Sequence, residues 1–124
     1  MLKPVRFDFG CLASENSGKL ADLVLLGEKK GYGCAWIPDM TFHRDIYVSL
    51  TACALRAKKI GLGVGVTNPF IRHPVSTAIA SATIDEISGG RLVLGIGSGN
   101  RRELLGPLGL EVNMTAEHCR EAVE

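Results

Sequence analysis

The stretch GLGVGVTNPFIRHP, residues 61–74, contains the end of one predicted element and the start of the next. Its apolar residues alternate with glycine until Thr67-Asn68-Pro69 stop the run, a pattern typical of a buried strand whose backbone allows close approach. Pro74 then suits the first turn of a helix, where its missing N–H would have had no partner. We therefore predict a strand that ends near Thr67 and a helix over residues 75–87.

The same succession of strand and helix occurs on both sides of this stretch. We predict strands at residues 5–12, 34–37 and 91–97, helices at residues 19–30 and 46–58 and from about residue 115, and a short helical turn near residues 102–105. Apolar strands separated by helices are typical of a parallel sheet with right-handed crossovers. The predicted fold class is therefore α/β, with about four βα units.

Two α/β architectures fit this order of elements, a doubly wound sheet and an eight-stranded barrel. The end of the chain favours the barrel, because residues 115–124 predict a helix with neither a C-cap glycine nor a following strand. We expect residues 1–124 to be the N-terminal half of a (β/α)8 TIM barrel, a single domain portion that is truncated at its C-terminus.

Composition excludes several classes of partner. The chain has 124 residues, 46% of them hydrophobic, and a formal net charge of +1. This balance predicts one soluble globular domain that binds neither nucleic acid nor an acidic membrane. No apolar run approaches the roughly 20 residues of a membrane helix, and the N-terminus does not resemble a signal peptide. A cytoplasmic location is expected.

The sequence offers no metal motif. Four cysteines and three histidines are scattered along the chain: Cys11, Cys34, Cys53, Cys119, His43, His73 and His118. None of the cysteines forms a C-x-x-C pair, and the histidines show no zinc-binding spacing. The cysteines are therefore predicted to be reduced and buried, with Cys11 the one that could line a pocket.

The segment LGIGSGN, residues 94–100, could bring backbone amides close to an anion, since it follows a strand and precedes helical sequence. It is not the dinucleotide fingerprint, because Asn100 occupies the place of the last glycine. It is not a nucleophile elbow either, because the residues around Ser98 do not fit G-x-S-x-G.

Three longer stretches resemble one known family. WIPDMTFHRDIYVSLTA (36–52), GVTNPFIRHPVSTAIASATIDEISGGR (65–91) and LVLGIGSGN (92–100) are similar to the N-terminal half of the bacterial-luciferase-like oxidoreductases. Within that family they are most similar to the branch that uses the deazaflavin coenzyme F420, typified by methylenetetrahydromethanopterin reductase. The resemblance covers essentially the whole chain.

The resemblance implies a barrel whose cofactor lies at the C-terminal ends of the strands. It places a non-prolyl cis peptide at Gly65-Val66, with Thr67 and Asn68 lining the same edge of the cofactor. It also implies that Asp39, after the second strand, meets the polar edge of the cofactor ring and is the candidate catalytic residue, which could relay a proton. The loop of Gly97, Ser98 and Gly99 would help to hold the cofactor.

The implied activity is hydride transfer between F420 and a small organic substrate, in an enzyme expected to be a homodimer. The alternative within the family is an FMN-dependent monooxygenase that uses reduced flavin and O2. Flavin-using luciferases carry a phosphate-binding arginine near the fourth-strand loop, where this sequence has Ser98-Gly99, so F420 is favoured over FMN. An alternative of another class is a non-catalytic cofactor-binding relative or an inactive fragment.

Overall fold

The computed structural model describes residues 5–14, 16–100, 102, 105–110 and 116–124. Within these residues strands and α-helices alternate along the chain. The strands are β1 (Phe9–Gly10), β2 (Cys34–Ile37), β3 (Gly61–Thr67) and β4 (Leu92–Ile96), and the helices are α1 (Ser17–Lys29), α2 (Ile46–Arg56), α3 (Pro74–Ser88) and α4 (Ala116–Val123). A 3-10 helix spans Gly106–Leu108.

The strands form one sheet in the order β1-β2-β3-β4, and every neighbouring pair is parallel. This arrangement confirms the predicted α/β class. The register between β3 and β4 shifts by one residue along the strands: Val64 lies opposite Leu94, whereas Thr67 lies opposite Ile96. The stretch of β3 between these pairs therefore holds one residue more than that of β4, which is a β-bulge.

The first strand is shorter than the predicted residues 5–12. Single backbone hydrogen bonds flank it, from Gly33 N to Phe7 O (2.7 Å) and from Cys11 N to Trp36 O (3.0 Å). Val5 and Phe7, which precede the strand, are 77% and 69% exposed, and β1 itself is an edge strand with one partner. The turn predicted near residues 102–105 and the helix start at residue 115 lie partly outside the described residues.

Local capping explains where the helices begin and end. The side chain of Asn16 accepts a hydrogen bond from Lys19 N, and that of Asp45 accepts from Tyr47 N and Val48 N. Helix α3 begins at Pro74, as its proline predicts. It ends at Gly89, whose φ of +74° is a left-handed conformation that favours glycine.

The core lies between the helices and one face of the sheet. Alternate strand residues enter it together with the inner faces of α1, α2 and α3: Leu20, Val24, Ala35, Ile37, Leu50, Leu62, Val64 and Ile84. In the part of the chain that the structure describes, no helix combines the length and hydropathy needed to span a membrane. The opposite face of the sheet carries glycines and the indole of Trp36.

A partly exposed carboxylate holds the amino-terminal edge of the sheet together. The Oε2 atom of Glu28, at the end of α1, accepts hydrogen bonds from the backbone N–H groups of Lys58, Lys59 and Ile60 at 2.9, 2.6 and 2.9 Å. Partial burial of Glu28 opposes its ionisation, but these three bonds and the charge of Arg91 outweigh it and lower the pKa of the carboxyl group.

Replacing Glu28 by glutamine is expected to lower the free energy of unfolding by about 1 kcal/mol at neutral pH, because hydrogen bonds to a charged acceptor are stronger than those to an amide. The folded pKa lies below the unfolded value of 4.5. This contribution is therefore full above that value and is lost as the pH falls through the folded pKa. Urea unfolding measures it, with Glu86→Gln on the exposed side of α3 as the control. If the difference in the free energy of unfolding between wild type and Glu28→Gln does not become smaller in acid, the prediction is wrong.

Candidate functional site

A cleft of about 470 Å³ lies at the carboxyl-terminal ends of β2, β3 and β4. It is lined by Pro38, Asp39, Met40, Gly65, Val66, Asn68, Gly97, Ser98, Gly99 and Asn100. Its volume falls in the range of about 300 to 1,000 Å³ that is usual for small-molecule sites. The carboxyl edge is also where parallel α/β sheets bind their ligands, because the strand-to-helix loops converge there.

The bulge of β3 forms one wall of the cleft. The peptide bond between Gly65 and Val66 is cis, which confirms the position that the resemblance implied. The backbone N–H of Asp39 donates to Val66 O at 3.3 Å, and that of Gly97 donates to Thr67 O at 2.9 Å. The residues that follow β2 and β4 are thus both bound to the end of β3.

The loop after β4 can approach β3 because Gly97 and Gly99 have no side chains. A Cβ atom on Gly97 would lie 2.9 Å from Cγ2 of Val66, closer than van der Waals contact. Gly99 has a φ of +80°, and a Cβ atom there would lie 3.3 Å from the side chain of Asn68. The two glycines therefore let the loop pack closely against the end of β3.

The alternating glycines of β3 also have a partner that sequence reasoning missed. Trp36 lies opposite Gly63 in the parallel register of β2 and β3. Its indole covers that glycine, where a Cβ atom would overlap the ring, and a Cβ atom on Gly65 would lie 3.2 Å from Trp36 Cε3. The indole nitrogen donates to Asp8 Oδ2 at 3.2 Å. Part of the glycine pattern therefore accommodates a tryptophan of this chain.

Asp39 is the half-buried titratable group of the cleft. Its Oδ2 atom accepts a hydrogen bond of 2.7 Å from the hydroxyl of Thr67. Burial, with a smaller effect from the charge of Asp45, raises the pKa of Asp39, while the Thr67 hydrogen bond and the charge of Arg72 oppose that rise. A carboxyl group in this environment holds a proton more readily than an exposed aspartate does.

The structure brings together most of the residues that sequence analysis proposed. The cleft is lined by Asp39, Gly65, Val66, Asn68, Gly97, Ser98 and Gly99. Thr67 differs, since it is 1% exposed and is not among the lining residues. Asn68 is 2% exposed, and its Oδ1 atom accepts hydrogen bonds from Phe70 N and Ile71 N, so its side chain also stabilises the turn after β3.

Three lining residues were missed: Pro38, Met40 and Asn100. Each is next in sequence to a residue that the sequence analysis did name, and this adjacency was the one indication that they could lie at the cleft. The order alone did not show which neighbours of Asp39 and Gly99 face the cleft, because a loop has no fixed side-chain period.

The cysteines follow the prediction in part. Cys34 and Cys53 are buried, and burial raises the pKa of these thiols to about 11 and about 12. Cys11 and Cys119 are instead partly exposed, since Cys11 follows the edge strand and Cys119 lies on α4, where no residue is buried. Among the described residues, no three His, Cys, Asp or Glu side chains form a group that could hold a metal ion.

Comparison with known proteins places this geometry in a family. The model of the luciferase-like monooxygenase family matches residues 4–124. The chain is 45% identical over 101 residues to 5,10-methylenetetrahydromethanopterin reductase from Archaeoglobus fulgidus, covering 82% of this chain and 30% of the relative. It is 33% identical over 117 residues to F420-dependent glucose-6-phosphate dehydrogenase from Nakamurella multipartita, covering 86% of this chain and 34% of that relative.

A solved structure shows the same arrangement of strands and helices. The coenzyme F420 dependent tetrahydromethanopterin reductase from Methanopyrus kandleri superposes with a TM-score of 0.83 and 38% identity, covering 88% of this chain and 31% of that one. The chain thus spans about a third of the length of these relatives, and its βα units form part of a TIM barrel. With nearly all of its residues matched by the family model, the chain belongs to the luciferase-like monooxygenase family.

Proposed function

We propose that the complete protein is an F420-dependent oxidoreductase that transfers hydride between the coenzyme and a small organic substrate, in the manner of methylenetetrahydromethanopterin reductase. The observation that carries the proposal is the cleft at the ends of β2, β3 and β4, which gathers Asp39 and the loop of Gly97–Gly99 against Gly65 and Val66. The names of the relatives from Methanopyrus kandleri and Nakamurella multipartita, both of which mention F420, support the choice of cofactor.

The proposal treats residues 1–124 as the N-terminal portion of a longer luciferase-like barrel domain. Coverage supports it, since the matched part makes up 30% and 34% of the two curated relatives described above. The DNA sequence downstream of the Glu124 codon is the direct test. A reading frame that continues with four more strand–helix units agrees with the proposal, whereas an immediate stop codon contradicts it.

The described residues fit a ring held against backbone. Gly97 and Gly99 contribute no side chains to the loop, and the exposed bulge at Gly65 and Val66 provides the facing wall. When bound, F420 supplies the carbon that gives or takes the hydride. The protein's part is to fix the approach of the substrate and exclude water, while Asp39 holds a proton at the cleft wall.

A cytoplasmic location and a homodimer are also part of the proposal. The free thiols among the described residues support a reducing compartment. The net charge of +1 supports a small-molecule substrate over nucleic acid as the partner.

Titration of the complete protein with F420 and with FMN tests the proposed cofactor. We expect F420 to bind at least tenfold more tightly than FMN, and the F420-loaded protein to exchange hydride with methylenetetrahydromethanopterin. Tighter binding of FMN, with oxygen-dependent turnover, would instead show the flavin monooxygenase. Binding of neither would show a non-catalytic relative.

Two glycine variants provide the matched control for this titration. Gly99 and Gly89 have similar φ values, +80° and +74°, so the left-handed backbone alone should cost alanine about 1 kcal/mol of stability at either position. A Cβ atom at Gly89 meets nothing within 4 Å, whereas one at Gly99 would lie 3.3 Å from Asn68 at the wall of the cleft. Gly99→Ala alone should therefore lower the affinity for F420, by about tenfold, or about 1.4 kcal/mol.

A further inference from the structure

Thr67 joins three strand ends at the cleft without lining it. It is the last residue of β3 and is 1% exposed. Its hydroxyl donates to Asp39 Oδ2 at 2.7 Å, while its carbonyl oxygen accepts from Gly97 N at 2.9 Å. The side chain and the backbone therefore have separate partners, and a substitution can remove the first contact while leaving the second.

The charged groups around Asp39 act on its ionisation in opposite directions. Asp45 and Arg72 act on its carboxylate with opposite signs, and Arg72 Nη1 lies 3.5 Å from Asp45 Oδ2. His43 and Arg44 line an adjoining cleft of about 460 Å³ that also includes Asp39. Among the described residues, the side-chain hydrogen bond to Asp39 comes from the neutral hydroxyl of Thr67.

We infer that Thr67 is a positioning residue for Asp39: its buried hydroxyl fixes the carboxylate at the wall of the cleft and favours the ionised form. This inference deepens the proposed function and rests on it for the role of Asp39. A hydrogen bond donated to a carboxylate stabilises the charge that burial disfavours. At Asp39, burial raises the pKa and the hydrogen bond from Thr67 lowers it, as this stabilisation of the charged form requires.

Replacing Thr67 by valine in the complete protein tests the inference, since valine has nearly the same shape and lacks the hydroxyl. The rate of hydride transfer from reduced F420 is measured from about pH 4 to about pH 9, together with the titration of Asp39 by NMR of carbon-13-labelled aspartate. In Thr67→Val we expect the inflection of the rate against pH and the midpoint of the Asp39 titration to move upward by roughly one pH unit. Thr67→Ser should return both to their wild-type values.

Thr77→Val is the matched control. Thr77 is another buried threonine, 6% exposed on α3, and does not line the cleft that contains Asp39, so its replacement should leave both curves unchanged. If Thr67→Val does not fold, Thr67→Ala removes the same hydroxyl without adding a methyl group.

The two readouts separate this inference from the proposed function. If the wild-type protein does not bind F420, the proposed cofactor is wrong, and the NMR titration still decides the contact between Thr67 and Asp39. An Asp39 titration that is the same in wild type and Thr67→Val overturns the inference. So does an upward shift of equal size in Thr77→Val.

Discussion

Replacing Arg91 by alanine is expected to lower the free energy of unfolding by about 3 kcal/mol. Its guanidinium donates to four backbone carbonyl oxygens, those of Ser88 (2.6 Å), Ile60 (2.8 Å), Ala57 (3.0 Å) and Ala54 (3.1 Å). These carbonyls belong to the ends of α2 and α3 and to the segment before β3. Alanine leaves all four without this donor, and each buried group that stays unsatisfied costs about 1 to 3 kcal/mol.

The matched control is Arg56→Ala, which removes the same side chain from the surface. Arg56 lies 2.9 Å from Asp22, but both side chains are more than half exposed, so the loss should stay below about 1 kcal/mol. Urea unfolding of the complete protein measures both variants. The loss of stability in Arg91→Lys should lie between those of the two alanine variants, because one ammonium group cannot donate to as many carbonyl oxygens as the planar guanidinium does. Equal losses for Arg91→Ala and Arg56→Ala would contradict the prediction.

Replacing Asp39 by asparagine is expected to lower kcat for hydride transfer by about 100-fold. Asparagine keeps the size of the side chain, and its carbonyl oxygen can still accept the bond from Thr67. What it cannot do is exchange a proton in the cleft, which is the role proposed for Asp39. Affinity for F420 should change little, while the inflection of kcat against pH that Asp39 causes should disappear.

Asp45→Asn is the control for this variant, because it makes the same chemical change in the adjoining cleft. Asp45 caps α2 through hydrogen bonds to Tyr47 N and Val48 N, and asparagine caps helices equally well. Its maximal kcat should match the wild type, while the inflection of kcat against pH should move downward, because the charge of Asp45 raises the pKa of Asp39. If Asp39→Asn keeps the wild-type kcat and still shows an inflection, Asp39 has no part in proton transfer.

Much of the fold is predictable from local sequence. β2 was predicted at residues 34–37, where the structure has it, because a short apolar run lies between Gly33 and Pro38. Helix α3 begins at Pro74 and ends before two glycines, which are local start and stop signals. The prediction was less accurate for β1, since an edge strand is defined by its pairing and not by its own alternation of residues.

The candidate site was predictable where it depends on chain order. Asp39 follows β2 and the Gly97–Gly99 loop follows β4, and parallel strands bring both to one edge of the sheet. The resemblance to the luciferase-like family added the cis peptide at Gly65-Val66, which the structure contains. The roles of these residues toward a cofactor stay predictions, as does the role of Asp39.

The sequence by itself determined the order of the strands and helices and most of the residues at the carboxyl edge, because hydrophobic periodicity and turn residues act over a few positions. Tertiary structure alone decided which side chains meet across the sheet. Trp36 lies opposite Gly63, and the hydroxyl of Thr67 donates to Asp39. Arg91 donates to the carbonyl oxygens of Ile60, Ala57 and Ala54, as well as to that of nearby Ser88. Except for the bond to Ser88, each of these contacts joins residues that are 27 or more positions apart in the sequence. Such contacts depend on how packed elements are placed in space, which no local pattern specifies.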